Sequence, residues 1–235
     1  MTTRNNIRAL VLFSGGLDSL LAALLLKAQN IRLTALIFRS IFFDATAAVT
    51  AAEKMDLPVK IIDFTDTLLG IIEHPRHGFG AGLNPCIDCH AAMIKKAGEI
   101  MRAEKFNFVA TGEVLNERPM SQNRRALAIV AKESGLEGYL LRPLSAQLLE
   151  ITEPEKLGWV NREKLCAIKG RGRRPQIELA REFGLADYPQ PAGGCLLTDP
   201  AYGKRLRELR RHEGVRNIAA IQLLRVGRHF RLGKN

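Results

Sequence analysis

Ala9-Leu10-Val11-Leu12-Phe13-Ser14-Gly15-Gly16-Leu17-Asp18-Ser19 is the stretch on which the fold turns. A short apolar run stops at a Ser-Gly-Gly turn, and Asp18 to Lys27 follows, rich in Leu and Ala and free of Gly and Pro. The pattern predicts a buried strand, a tight turn and a helix. Two glycines let backbone N–H groups turn inward without Cβ obstruction, and the helix N-terminus behind them favours an anion. Ser14 and Ser19 add hydroxyl donors. A carboxylate belongs in such a phosphate cradle if it caps the helix or helps hold Mg²⁺, so Asp18 is expected to do one of these. The kinase-type loop Gly-x-x-x-x-Gly-Lys-Ser/Thr does not occur in the chain.

Outward from this turn, strand-like and helix-like runs alternate. Strands are expected at 33–38, 59–64, 108–110 and 139–141, and helices at 46–55, 89–104 and 122–133. Residues 73–86 hold His74, Pro75, His77, Gly78, Gly80, Gly82 and Pro85 and read as a long loop, the kind that is usually functional. The alternation implies a Rossmann-like α/β fold: a parallel sheet with helices on both faces, which binds ligands beyond the carboxyl ends of its strands. Ser14, Phe38, Cys86 and Thr111 follow strands and belong on that edge. Thr111-Gly112-Glu113 is a strand end that can close over phosphates, with Gly112 permitting close approach and Ser121 capping the next helix. Lys95 and Lys96 lie on the helix after Cys89, within reach of a polyphosphate or simply solvated. After residue 145 the strand signal fades into short helical pieces, including 175–183 and 201–211. Residues 1–145 are therefore expected to form the catalytic domain, and 146–235 a smaller, basic, mainly helical extension packed partly on it.

The chain has 235 residues, 46% of them hydrophobic, enough for a full core. No segment reaches the ~18 consecutive apolar residues of a membrane span. Met1 to Asn6 leads straight into the first strand without a signal-peptide pattern, so a cytoplasmic location is expected. The formal charge of +11 is uneven: residues 161–235 carry 17 basic and 7 acidic side chains, against 18 and 17 in residues 1–160. A basic back half suggests contact with a polyanion, with Arg171, Arg173, Arg174, Lys204 and Arg205 as the candidate grip on RNA phosphates.

Four cysteines in a cytosolic chain of this size point to metal or redox chemistry rather than a disulfide scaffold. Asn84-Pro85-Cys86-Ile87-Asp88-Cys89-His90 puts two thiols where a loop becomes a helix, whose N-terminus favours thiolate. A third lies in Pro191-Ala192-Gly193-Gly194-Cys195. Cys166, in a helical stretch over 162–168, reads as a buried structural thiol. For Cys86, Cys89 and Cys195 three readings stand side by side. They are a [4Fe–4S] cluster with one iron left open, a catalytic pair passing a persulfide, or a zinc site helped by His90.

Ser14–Ser19 resembles the SGGxDS signature of the PP-loop ATP pyrophosphatases. With Asn84–His90, Thr111–Gln122, Arg142–Ser145, Gly170–Gln176 and Ala192–Cys195, the chain is similar to the tRNA-thiolating members, the 4-thiouridine synthases and tRNA 2-thiouridylases. The resemblance implies an adenine nucleotide α-hydrolase-like fold and ATP, with Mg²⁺, cut between its α and β phosphates. It implies contacts to ATP from Ser14, Gly15, Gly16, Leu17, Asp18, Ser19, Phe38, Lys95, Thr111 and Gly112, with adenine against Ile37-Phe38-Arg39. Cys89, Cys195 and Asp18 become the catalytic candidates and tRNA the acceptor. The sulfur donor is sulfide or a persulfide derived from a cysteine desulfurase, and a homodimer is compatible. The cysteine spacing is similar to that of the cluster-dependent thiolases, which favours the cluster. The chain departs from the family where Asn116-Glu117 replaces the expected Gly-Gln. It also has neither the RNA-binding N-terminal domain nor the rhodanese domain of 4-thiouridine synthases. A small-molecule acceptor, or a non-catalytic metal- and RNA-binding module, are the alternatives.

Overall fold

The computed structural model describes residues 6–188, 194–227 and 230. Five strands form one sheet: β1 (Arg8–Leu12), β2 (Arg32–Arg39), β3 (Val59–Asp63), β4 (Phe108–Thr111) and β5 (Leu140–Leu141). All pair in parallel, in the order β3-β2-β1-β4-β5. The order reverses between β1 and β4, so the crevice of this Rossmann-like sheet opens beyond the carboxyl ends of those two strands. The register Leu12↔Thr111 brings their last residues level, with Ser14 and Gly112 just past them.

The helices are α1 (Leu17–Lys27), α2 (Thr46–Lys54), α3 (Thr65–Glu73), α4 (Cys86–Ala103), α5 (Arg124–Ser134), α6 (Glu153–Lys156), α7 (Arg174–Glu182), α8 (Pro200–Glu213) and α9 (Ile218–Val226). The central strands are buried on both sides, and the two-residue alternation divides their side chains between two cores. Ala9, Val11, Ala35, Ile37, Phe108 and Ala110 face one core with α1 and α2. Leu10, Leu36, Phe38 and Val109 face the other, with α3, α4 and α5. That second core also takes Tyr202, Leu206 and Leu209 of α8 and Ile221 and Leu224 of α9. A third cluster joins Leu17, Leu21 and Leu25 of α1 to Ala180 of α7. No helix among the described residues is long and apolar enough to cross a membrane.

Several boundaries differ from the sequence expectations. Helix α3 occupies Thr65–Glu73, where no helix was expected, because Leu68, Leu69 and Ile72 bury one face beside Phe64. Helix α4 starts three residues early, at Cys86, with Pro85 as its N-cap. Ser121 is buried and does not cap α5; Asn123 does, accepting from the Ala126 N–H. Cys166 is not in a helix. Its N–H donates to the Pro143 carbonyl (2.9 Å) and its carbonyl accepts from the Gln147 N–H (3.1 Å), so the backbone there pairs with residues 143–147 and not with itself. Its thiol is half-buried against the α1–α7 cluster, still a packing role.

Candidate active site at the carboxyl edge of the sheet

The phosphate loop forms where the glycines allow it. Gly15 has φ of +73°, and a Cβ there would lie 2.8 Å from the Ala48 Cα of α2, so the turn excludes any side chain. Gly16 is the N-cap of α1, and no side chain caps the helix. Ser19 Oγ donates to the Gly16 carbonyl (2.8 Å) and lies 3.3 Å from Ser14 Oγ, which accepts from the Gly16 N–H (3.4 Å). The first-turn N–H groups of α1, with its positive dipole end, thus face the crevice without a side-chain acceptor of their own.

Asp18 sits inside the first turn and does not cap the helix, which settles one of the two roles expected of it. Its Oδ2 lies 3.4 Å from Arg173 Nη2, and its Oδ1 is buried with no hydrogen-bond partner. Burial pushes its carboxyl above the usual range, opposed by Arg173, Gln176 and Arg118. Gln176 is fully buried, and neither of its amide atoms has a partner. Glu117 belongs to the same corner; burial and the Asp18 charge raise it, against Arg173 and Arg118. Asn116, where the family expectation was Gly, takes the left-handed φ of 63° that Asn tolerates better than most residues.

Gly112 leans on the loop from the side. A Cβ on it would stand 2.7 Å from the Asp18 carbonyl carbon and the Ser19 nitrogen. The next residue, Glu113, is buried and reaches the cysteine helix instead. His90 Nδ1 lies 2.9 Å from its Oε1, while Arg142 Nε (2.8 Å) and Thr111 Oγ1 (3.1 Å) donate to its Oε2. Burial alone would raise this carboxyl; the charges and hydrogen bonds of Arg142 and His90 outweigh it and hold the group down to about 2.

Cys86, Cys89 and Cys195 converge. Burial pushes the Cys89 thiol well up, helped by Cys195, Cys86 and Asp88; burial likewise raises Cys195 to about 12, with Cys86 adding to it. The thiolate preference expected from the helix N-terminus is therefore overridden for Cys89. Asn84 Nδ2 donates to Cys86 Sγ at 3.1 Å. Cys195 is delivered by the stretch after it: Leu196 N–H donates to the Phe42 carbonyl (3.1 Å), and Leu197 accepts from the Leu83 N–H (3.1 Å). Of the Pro191–Cys195 motif, Pro191, Ala192 and Gly193 lie outside the described residues. Among those described, one trio of His, Cys, Asp or Glu has all its ligand atoms within 4.8 Å, and it is His77, Asp88 and Glu133.

Other expected site residues sit elsewhere. Phe38 is a core side chain, edge-on to Phe64 at 5.4 Å. Lys95 is exposed, about 13 Å down α4 from Cys86 at 1.5 Å per residue, because α4 runs away from the edge. Arg171 and Lys204 are exposed, and Arg174 is paired with Glu178 at 2.8 Å. Arg205 turns inward to the Leu224 carbonyl (3.1 Å) and the Tyr202 ring. Arg207 and Arg210 likewise donate to the Gly82 and Glu73 carbonyls, both at 2.8 Å, so much of the basic run on α8 fastens the 74–85 loop. Sequence reading missed the Glu113 network, the Glu117–Gln176 corner and the His77 clamp, in which His77 N–H donates to Asp88 Oδ2 (3.1 Å) and His77 Nε2 meets Glu133 Oε1 (2.8 Å). The motifs Asn84–His90, Thr111–Gln122, Arg142–Ser145 and Gly170–Gln176 contained the members of the first two, but nothing in their spacing paired them.

Comparison with known proteins agrees with this geometry. The chain is 24% identical over 228 residues to the tRNA-specific 2-thiouridylase MnmA of Bradyrhizobium sp. (strain BTAi1), covering 86% of this chain and 53% of that protein. It is 26% identical over 180 residues to the MnmA of Karelsulcia muelleri, covering 70% of this chain and 46% of that one. It thus spans about half the length of the curated relatives it matches. A 4-thiouridine synthetase solved in complex with RNA and bound ATP superposes with a TM-score of 0.52 at 17% identity, over 92% of this chain and 52% of that chain. Residues 7–155, more than half of the sequence and every strand of the sheet, match the model of the tRNA methyl transferase HUP domain, and to that family the chain belongs.

Proposed function

We propose that this chain is an ATP-dependent tRNA thiolase, which adenylates a uridine oxygen and replaces it with sulfur. One observation carries the reading: the tripeptide Thr111-Gly112-Glu113 touches both halves of the chemistry. Gly112 abuts Asp18 and Ser19 of the phosphate loop, and Glu113 bonds His90, the neighbour of Cys89. Activation at phosphorus and delivery of sulfur are thereby held beside each other. The relatives named as 2-thiouridylases and the ATP- and RNA-bound synthetase neighbour support the same reading.

The uncapped N–H groups of α1, with Ser14, receive the β and γ phosphates of ATP. Asp18, whose Oδ1 is without a partner, would hold Mg²⁺, which would supply neutralising charge on the leaving pyrophosphate. Attack of the uridine oxygen on the α phosphorus forms the O–P bond and releases pyrophosphate. Sulfide then adds at the activated carbon and AMP leaves with the oxygen, a substitution that needs no outside oxidant or reductant. Exposed Arg171, Arg174 and Lys204 meet the tRNA backbone.

The thiol trio fits a [4Fe–4S] cluster better than zinc. A closed structural zinc needs four ligands, and here Cys166 packs in the α1–α7 cluster while His90 is engaged by Glu113. Three cysteines suit a cluster with one iron left open. Such a cluster, with three protein ligands, would leave one iron open to sulfide. Cys86, Cys89 and Cys195 would hold it, with Asn84 donating to Cys86, and with Cys89 and Cys195 packed against the apolar core.

Anaerobic purification with iron, acid-labile sulfide and zinc analysis, alongside pyrophosphate release from ATP with and without tRNA, tests both halves. The expected result is iron and sulfide lost in Cys195→Ala, and pyrophosphate release dependent on tRNA. Zinc without iron, or a metal-free protein accumulating persulfide, overturns the cluster. Release that ignores tRNA points to a small-molecule acceptor, and no release at all to a non-catalytic protein.

A further inference from the structure

The corner formed by Asp18, Glu117, Arg173 and Gln176 is built and unfinished. A guanidinium well matched to a carboxylate makes two short parallel hydrogen bonds. Arg173 gives Asp18 only one contact, at 3.4 Å, and leaves Oδ1 buried with no partner. Beside it Gln176, wholly buried, is close enough to lower the Asp18 carboxyl, yet neither of its amide atoms makes a full hydrogen bond. Buried polar groups left this way cost about 1–3 kcal/mol each, and such groups are rare without a ligand to complete them. The corner is also held rigidly: the Gly170 N–H donates to the Leu115 carbonyl at 2.7 Å, tying the Arg173 stretch to the Glu117 turn. Ala180 of α7 packs into the cluster that holds Leu17 and Leu21 of α1.

The open atoms specify their ligand by chemistry. Asp18 Oδ1 and Gln176 Oε1 are lone-pair donors suited to a hard divalent cation, and Gln176 Nε2 is a hydrogen-bond donor suited to a phosphate oxygen. A cation seated between them repels the guanidinium now on Asp18. The anions then open to that guanidinium are Glu117, which already faces it, and a polyphosphate bound on the neighbouring loop.

We propose that Arg173 is an exchangeable counter-charge of the phosphate loop: it neutralises Asp18 until a divalent cation settles between Asp18 and Gln176, then passes to the polyphosphate. Gln176 is a positioning residue for that cation. The inference rests on the nucleotide reading above and removes Arg173 from the RNA grip.

The test compares full-length wild type with Arg173→Gln and the milder Arg173→Lys, each checked for folding by circular dichroism. Binding of Mn²⁺ alone is read by electron paramagnetic resonance, and binding of α,β-methylene-ATP with Mg²⁺ by calorimetry. Arg173→Gln is expected to bind Mn²⁺ about tenfold tighter and the analogue about tenfold weaker, the scale of one charged contact. Arg173→Lys should show the same opposite signs, more weakly. If Arg173 is only structural, both ligands shift the same way or not at all, which overturns the inference and leaves the nucleotide reading intact. If wild type binds no analogue, the nucleotide reading fails and takes this inference with it.

Discussion

At the scale of single residues, the site depends on side chains that are missing as much as on those present. Gly112 is the clearest case, since its backbone does not need a positive φ and only proximity demands glycine. Gly112→Ala therefore isolates the effect of the close approach. The added methyl meets backbone of Asp18 and Ser19 at 2.7 Å, which no rotamer change relieves. Overpacking of this kind costs about 1–3 kcal/mol. We expect a lower melting temperature together with loss of nucleotide-analogue binding; unchanged values for both would show that the strand end has room to move. This contact was foreseeable, because a glycine after a strand, opposite a glycine loop, is a pattern in sequence. The partners of Asp18 were not. Arg173 and Gln176 lie more than 150 residues further on, and nothing in local spacing says which of many basic residues turns toward the loop.

Between elements, Glu113 is the joint. It ties the end of β4 to α4 through His90 and to the segment after β5 through Arg142. Its carboxyl, ordinarily near 4.5, is held at about 2 in the folded protein. A depressed carboxyl stabilises the fold above its unfolded value and loses that contribution as pH falls from about 4.5 toward 2, when the folded form must also take up the proton. The contribution above pH 5 is on the order of 3 kcal/mol. Glu113→Gln should lose about that much at pH 7 and show a flatter decline in stability between pH 5 and 3 than wild type. Parallel acid limbs in the two proteins would contradict this assignment. The strands and most of the helices around this joint were legible, since their apolar runs and breaks are local signals. Helix α3 escaped because it is only nine residues long and follows directly on β3, with Gly70 inside it and no clear capping signal before Thr65. Cys166 escaped for the opposite reason: its sequence permits a helix, but Pro143 and Gln147 offer its backbone better partners.

For the molecule as a whole, the sequence suggests a division at residue 145, and the packing crosses it. Tyr202, Leu206, Leu209, Val215, Ile221 and Leu224 share one core with Leu10, Leu36 and Val109. At roughly 1.5–3 kcal/mol per buried side chain, the six contribute on the order of 10 kcal/mol, comparable to the net stability of a domain. Residues 1–145 expressed alone are accordingly expected to lack cooperative thermal unfolding and to bind a hydrophobic dye. A soluble fragment with a sharp melting transition would instead mark residue 145 as a true domain boundary. The basic charge of the second half was visible in composition, yet its distribution was not: Arg205, Arg207 and Arg210 spend their donors on the chain's own carbonyls.

Cys195 follows Cys89 by more than a hundred residues, and it is brought to the other two thiols by the backbone hydrogen bonds of Leu196 to Phe42 and of Leu83 to Leu197. During synthesis, then, the sheet and the first two thiols emerge long before the third. A nascent chain on the ribosome cannot assemble the trio until its last quarter has docked. Under the proposed function, loading of the cluster is a late checkpoint that only a finished and correctly folded chain passes.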